Sequence, residues 1–162
     1  MTTGAKGSGY IEWYDGPRAP LRPLFGLADD SELQIDSYID LGRVLVARDE
    51  EGQVLGHLQL IPTAPGIAEL KSLAVREDQQ RRGIGSRLVR RALAICRGEG
   101  VQAVTVTTAT ADIENIRFYQ RCGFRPTSIE QDVFSEAAGY PAGLEANGIP
   151  VRDAITFTLV LA

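Results

Sequence analysis

Gly83 and Gly85, flanked by Arg81, Arg82 and Arg87, are the residues whose types and spacing read most directly as chemistry. They lie between an apolar run, Ala68 to Val75, and a segment where Ile84, Leu88, Ala92 and Ile95 recur at helical spacing. A strand feeding a glycine turn into a helix start is an anion site. The first helical turn leaves N–H groups unpaired, and the helix dipole favours negative charge there. Glycines let the backbone close on phosphate oxygens without a Cβ in the way. Adjacent arginines add charge-assisted attraction. Two rival phosphate loops fit poorly. No Gly-x-x-x-x-Gly-Lys-Ser/Thr occurs, and after Gly83-Ile84-Gly85 the third glycine of a dinucleotide fingerprint is replaced by Leu88. A turn that binds nothing stays open on these residues alone.

The elements that must position this loop can be read on both sides of it. Tyr10 to Tyr14 reads as a short strand, and Pro17, Pro20 and Pro23 punctuate an irregular helical stretch bearing Leu21, Leu24, Phe25 and Leu27. Ser31 to Leu41 is expected to be a helix capped by Ser31 or Asp30. Arg43 to Arg48 and Val54 to Ile61 form a hairpin across Asp49–Gln53, with Pro62, Pro65 and Gly66 ending its second strand. Ala68 to Val75 is the next strand, and Gly98 and Gly100 close the helix that begins near Ile84. Val101 to Ala109 is a Val/Thr strand, Asp112 to Cys122 a short helix, and Phe124 to Phe134 contains another strand. A polar Gly/Pro loop from Ser135 to Pro150 leads to a last strand, Ala154 to Leu161. Antiparallel strands first, then alternating strand and helix, suggest an α/β sandwich around a central sheet.

At 162 residues, 44% hydrophobic and 23% charged, the chain reads as one domain, residues 1–162, with a sizeable core. No apolar run approaches the roughly 20 residues that span a bilayer, and Met1 to Gly9 lack the apolar centre of a signal peptide. A cytoplasmic protein without membrane association is the expectation. Net charge is −4, which argues against nucleic acid as a partner, yet six arginines from Arg76 to Arg91 crowd one corner. That distribution suits a small anionic ligand, or a solvated helix face. Cys96 and Cys122 are read as reduced thiols, and with His57 the only histidine no metal site is expected.

Leu73-Ala74-Val75 followed by Gln80-Arg81-Arg82-Gly83-Ile84-Gly85 resembles the acyl-CoA motif of the GNAT acetyltransferase superfamily, Gln/Arg-x-x-Gly-x-Gly/Ala. Asn115-Ile116-Arg117-Phe118-Tyr119 and then Gly123-Phe124 resemble its second signature, at the family's distance. The resemblance covers about residues 43–125. It implies the GNAT fold, an α/β architecture whose mixed, mostly antiparallel sheet carries helices on both faces. It also implies acetyl-CoA as cosubstrate. Backbone amides of Arg81, Arg82, Gly83, Ile84, Gly85 and Ser86 would hold its pyrophosphate. Leu73, Ala74 and Val75 would line its pantetheine, with Leu73 and Val75 pairing to it through backbone groups as to an added strand. Asn115 would touch the same arm.

The implied reaction is direct attack of an amine on the thioester. A lysine-like amine is neutral in only about one molecule in a few thousand at pH 7, so a base must take its proton. Glu69 is the candidate base; strict alternation would place it on one face with Lys71 and Leu73. Its other reading is a strand carboxylate paired with Lys71 or an arginine. Tyr119 is the candidate acid for the departing thiolate, as the family's Phe-Tyr motif implies. His57, alternating with Leu55 and Gln59, reads as a structural histidine that could also face the acceptor. The acceptor is expected to be a small cationic amine, held between about residues 20–40 and the Ser135–Pro150 loop with Glu136, Tyr140 and Glu145. A protein N-terminus or lysine, or a non-catalytic acyl-CoA sensor, are the alternatives, in a monomer or homodimer.

Overall fold

The computed structural model describes residues 9–161, so the N-terminal segment read above as lacking a signal peptide lies almost wholly outside the described residues. The strands are β1 (Tyr10–Trp13), β2 (Arg43–Arg48), β3 (Val54–Ala64), β4 (Ile67–Val75), β5 (Ala103–Ala109), β6 (Arg125–Glu130), β7 (Glu145–Ala146), β8 (Ile149–Pro150) and β9 (Ala154–Val160). The helices are α1 (Arg22–Ala28), α2 (Glu32–Tyr38), α3 (Ile84–Gly98) and α4 (Ile113–Arg121). Seven strands form one sheet in the order β1-β2-β3-β4-β5-β9-β6, in which only β4 and β5 run parallel.

Both faces of the sheet are covered, which explains why β2 reads as a continuous apolar run. Val44 and Val46 point to one side, where Phe25, Ile35, Tyr38 and Ile39 of the α1–α2 segment bury them. Leu45 and Ala47 point to the other, where Leu88, Val89, Ala92 and Cys96 of α3 pack. The α3 stripe is the helical period seen in the sequence, now buried as Ile84, Leu88, Val89, Ala92, Leu93 and Cys96. Ser31, and not Asp30, caps α2: its Oγ accepts from the Gln34 N–H at 3.1 Å. β3 continues past Pro62 to Ala64 and turns at Pro65–Gly66, so Pro62 does not end the strand. A register irregularity between Pro62 and Ala64 accommodates the proline.

Two further irregularities correct the alternation expected near the site. Between Gln59 and Leu60 the register steps from Ser72 to Leu70, leaving Lys71 as an extra residue on β4. A bulge of this kind resets which face each side chain takes. Glu69 pairs with Ile61, which packs on the α1–α2 cluster, whereas Leu73 pairs with Leu58 in the α3 cluster. Glu69 and Leu73 therefore lie on opposite faces of the sheet. The second step, between Ala47 and Arg48, leaves Leu55 extra on β3 and separates it from His57. Only Gln59 shares the histidine's face.

His57 is fully buried, stacked on Phe25 with ring centroids 4.2 Å apart, and its Nε2 lies 2.8 Å from Ser72 Oγ. Its Nδ1 has no partner among the described residues. Burial lowers its pKa to about 3, so the ring is neutral and a core component, not an acceptor contact. Because the folded pKa lies below the ordinary value near 6.5, the unfolded chain takes up a proton first on acidification. This group costs nothing above pH 6.5 and destabilises the fold as pH falls towards 3. Between pH 6.5 and 5 the loss is expected to be about 2 kcal/mol. Urea unfolding of the wild type and His57→Gln at these two pH values should show that slope only in the wild type.

Candidate active site

β4 and β5 are paired only from Ile67–Leu70 to Ala103–Val106. Beyond that point Lys71–Val75 and Thr107–Ala109 diverge, while each strand keeps its other neighbour, β3 or β9. Two adjacent strands thus present edges with no strand partner across the gap, a template that an extended polar chain can fill. The gap opens into a cleft of about 850 Å³.

The glycine loop closes one end of this cleft. Arg81 and Gly83 both take left-handed backbone conformations, at φ 63° and 77°, and Gly83 is the N-cap of α3. Among the described residues no side chain caps that helix, so N–H groups of its first turn remain available. A Cβ at Gly83 would meet nothing within 4 Å, and one at Gly85 would make ordinary contacts with Phe118 at 3.6 Å and Val75 at 3.9 Å. The space before the loop is open. Leu73, Ala74, Val75, Arg81, Gly83, Ile84, Gly85, Ser86 and Asn115 all line the cleft. Arg82 does not; its guanidinium donates to Gln79 Oε1 at 3.3 Å. The Val75 carbonyl accepts from Gln80 Nε2 at 3.1 Å. Asn115 Nδ2 donates to Thr108 Oγ1 at 3.1 Å, tying α4 to the free end of β5.

Tyr119 also lines the cleft, on α4, with only 5% of its surface exposed. Phe118, Phe124 and Phe157 surround its ring at centroid distances of 5.2, 5.8 and 6.4 Å. Its hydroxyl has no hydrogen-bond partner among the described residues, and burial, then the neighbouring Cys122 and Asp112, push its pKa well above the ordinary phenol value. The group is a protonated donor. Glu69 enters from the α1–α2 face, 3.9 Å from Lys71 Nζ, which in turn sits 4.8 Å over the Tyr38 ring. Tyr119 belongs to the cluster on the α3 face. The two candidate proton-transfer groups line one cleft from opposite faces of the sheet, where the strands splay.

The far wall joins segments distant in sequence. Ser31 Oγ donates to the Ala138 carbonyl at 2.8 Å, and Asn147 Nδ2 donates to the Ala111 carbonyl at 3.0 Å, seating the β7–β8 hairpin. Tyr140 and Glu145 line the cleft; Glu136 does not. Asp29 and Asp30, absent from the sequence-based candidates, line it too. Asp29 accepts from the Ser31 N–H and the Tyr38 hydroxyl, at 3.0 and 2.7 Å. Burial and then the Asp29 charge raise the Asp30 pKa, and burial and then Asp29 raise that of Tyr140. The signal available in the sequence was the acidic doublet directly before a helix-capping serine. Among the described residues no group of three or more metal-ligating side chains comes together, and no helix is long and apolar enough to cross a membrane.

A model of the acetyltransferase (GNAT) family matches residues 10–124. The chain belongs to that family. It is 31% identical to the uncharacterised N-acetyltransferase YvbK of Bacillus subtilis over 93% of this chain and 96% of that one. Among solved structures, an IAA acetyltransferase from Bacillus cereus superposes with a TM-score of 0.85 at 37% identity, covering 95% of this chain and all of that one (100%). A GNAT acetyltransferase from Elizabethkingia anophelis with acetyl-CoA bound superposes with a TM-score of 0.86 at 29% identity, covering 96% and 100%. The mixed sheet with helices on both faces is the GNAT fold, and the chain is an acetyl-CoA-dependent acyltransferase of the N-acetyltransferase kind.

Proposed function

We infer that this GNAT enzyme acetylates a small cationic primary amine by direct attack in a ternary complex. The observation that carries the reading is the cleft, which runs from an uncapped helix start to a wall bearing Asp29, Asp30 and Glu145. Polarity is opposite at its two ends. The amides from Arg81 to Ser86 hold the pyrophosphate, with Arg82 contributing its backbone. The pantetheine lies along Leu73–Val75 beside Asn115, which brings the thioester to the passage between Glu69 and Tyr119. The carboxylates draw an ammonium to the other side.

Joining amine and thioester in this geometry lowers the barrier by roughly 7–11 kcal/mol, more than the ~10²–10⁴-fold that one general base supplies. Positioning dominates, so loss of Glu69 slows the reaction without abolishing it. Glu69→Gln is expected to lower kcat/KM by about 10²-fold at pH 7. The deficit should shrink as pH approaches the acceptor's pKa, because a neutral amine needs no base. A deficit independent of pH would leave Glu69 a structural carboxylate.

The identifying experiment is a panel of cationic, neutral and anionic acceptors, including peptides with free N-termini or lysines, with thiol release followed and products weighed. Small cationic amines are expected to release CoA fastest. Preference for peptides would make the acceptor a protein, and acetyl-CoA binding without release to any acceptor would make the domain a sensor.

A further inference from the structure

We propose that Lys71 is an internal acetyl acceptor, taking the acetyl group of bound acetyl-CoA onto its own Nζ when no amine substrate occupies the cleft. The sequence has 17 lysines and arginines, and only Lys6 and Lys71 are lysines. Arginine carries no group that a thioester acetylates at neutral pH, since its guanidinium stays protonated. Lysine is thus nearly eliminated from this acetyltransferase, yet one stands inside the transfer cleft.

Its placement is that of an acceptor. Nζ lies 3.9 Å from Glu69 Oε1, and both residues line the cleft. At this distance the pair makes no hydrogen bond, and the remaining hold is the Tyr38 ring at 4.8 Å. Side-chain exposure is 34%, so the stem has room to move. Lys71 is also the extra residue of the β4 bulge, where pairing with β3 is interrupted immediately beside the splayed edge. These features belong together: an amine, a carboxylate and an open strand edge at one point.

The step balances within the proposed chemistry. The Nζ ammonium releases a proton to Glu69, and the neutral nitrogen attacks the thioester carbonyl carbon. The new C–N bond forms as the C–S bond breaks. The nitrogen, cationic once the bond has formed, loses its second proton, which passes to the departing thiolate to give CoA thiol, while the Tyr119 hydroxyl donates a hydrogen bond to the developing charge. Only about one lysine in a few thousand is neutral at pH 7, so the step depends on Glu69 as transfer to a substrate amine does. Its product lacks the positive charge beside Glu69.

The inference rests on the cleft being the acetyl-transfer site, and the test separates the two. The full chain is incubated with acetyl-CoA and no acceptor, sampled over time, and mapped by peptide mass spectrometry, with acetyl-CoA binding measured in parallel by calorimetry. Lys71 is expected to acquire one acetyl group at least about 10²-fold faster than Lys6, the gain one general base supplies. The rate should not depend on protein concentration, and Glu69→Gln should slow it. Lys71→Arg, which keeps the charge, should abolish the adduct while still binding acetyl-CoA. Equal labelling of Lys6 and Lys71 overturns the proposal. So does an unmodified Lys71 in protein that binds acetyl-CoA and releases CoA to panel amines. Absence of acetyl-CoA binding overturns the underlying reading of the cleft.

Discussion

Ser86→Asp is expected to weaken acetyl-CoA binding by about 10²-fold or more while leaving the thermal midpoint unchanged or slightly raised. Ser86 follows Gly83, Ile84 and Gly85 as the third residue of the α3 start and faces the cleft. An acidic side chain in a first helical turn complements the dipole and stabilises by about 0.3–1 kcal/mol. In the absence of ligand the substitution is favourable. In the proposed complex the same carboxylate stands against the pyrophosphate. Two charges about 4 Å apart near a protein surface repel by about 4 kcal/mol, and each 1.4 kcal/mol is roughly tenfold in affinity. Salt screening trims this figure and does not reverse it. Calorimetric titration with acetyl-CoA and a thermal melt check the two signs together. Unchanged affinity would mean that the loop does not hold the diphosphate. A lowered melting point would mean that the loss was one of folding.

Tyr119→Phe is expected to lower kcat by about 10–10²-fold and to change acetyl-CoA affinity much less. The tyrosine is buried among three phenylalanines, so the substituted ring keeps its packing, and the hydroxyl it loses has no partner to orphan among the described residues. Burial raises the pKa of that hydroxyl, which sets how it acts. A thiolate of ordinary basicity, with thiol pKa near ~8.5, does not strip a proton from so weak an acid. On the proposed reading the hydroxyl instead donates a hydrogen bond to charge developing on sulfur. Hydrogen bonds to charged groups contribute about 1.5–3 kcal/mol, and that range sets the expected loss. Because the thioester sulfur is uncharged before reaction, the contribution appears in the transition state and falls on kcat. Steady-state kinetics with saturating acetyl-CoA measure it. Unchanged turnover would remove Tyr119 from the chemistry and leave it an aromatic wall.

The fold was legible because its signals are local. The α3 stripe from Ile84 to Cys96, the doubly buried β2 and the glycine turn between β4 and α3 each declare themselves within a short window. The β4–β5 crossover through α3 follows from the order of elements. Side-chain direction near the site was less legible. A strict two-residue alternation puts Glu69 with Leu73 and His57 with Leu55, and both pairings fail at bulges that place Lys71 and Leu55 out of step. No residue type marks either bulge; they arise from pairing with the neighbouring strand. The far wall was half legible. Tyr140 and Glu145 were expected there and line it, Glu136 does not, and Asp29 and Asp30 emerge only once Ser31 bonds Ala138 across 107 positions of chain.

The sequence by itself determined the element order and the two motifs, whose resemblance to the GNAT family implied the donor; the glycine-bearing helix start, read alone, marked an anion site, since its backbone amides form wherever those residues stand. Tertiary structure decided what the donor meets. It ends β4–β5 pairing at Leu70 and Val106, lines one cleft with Glu69 and Tyr119 from opposite faces, and sets Lys71 beside Glu69. The physical reason is range. Helix starts and apolar stripes are fixed by neighbours a few residues away, whereas strand register, splay and a wall assembled from both halves of the chain depend on contacts that exist only after folding.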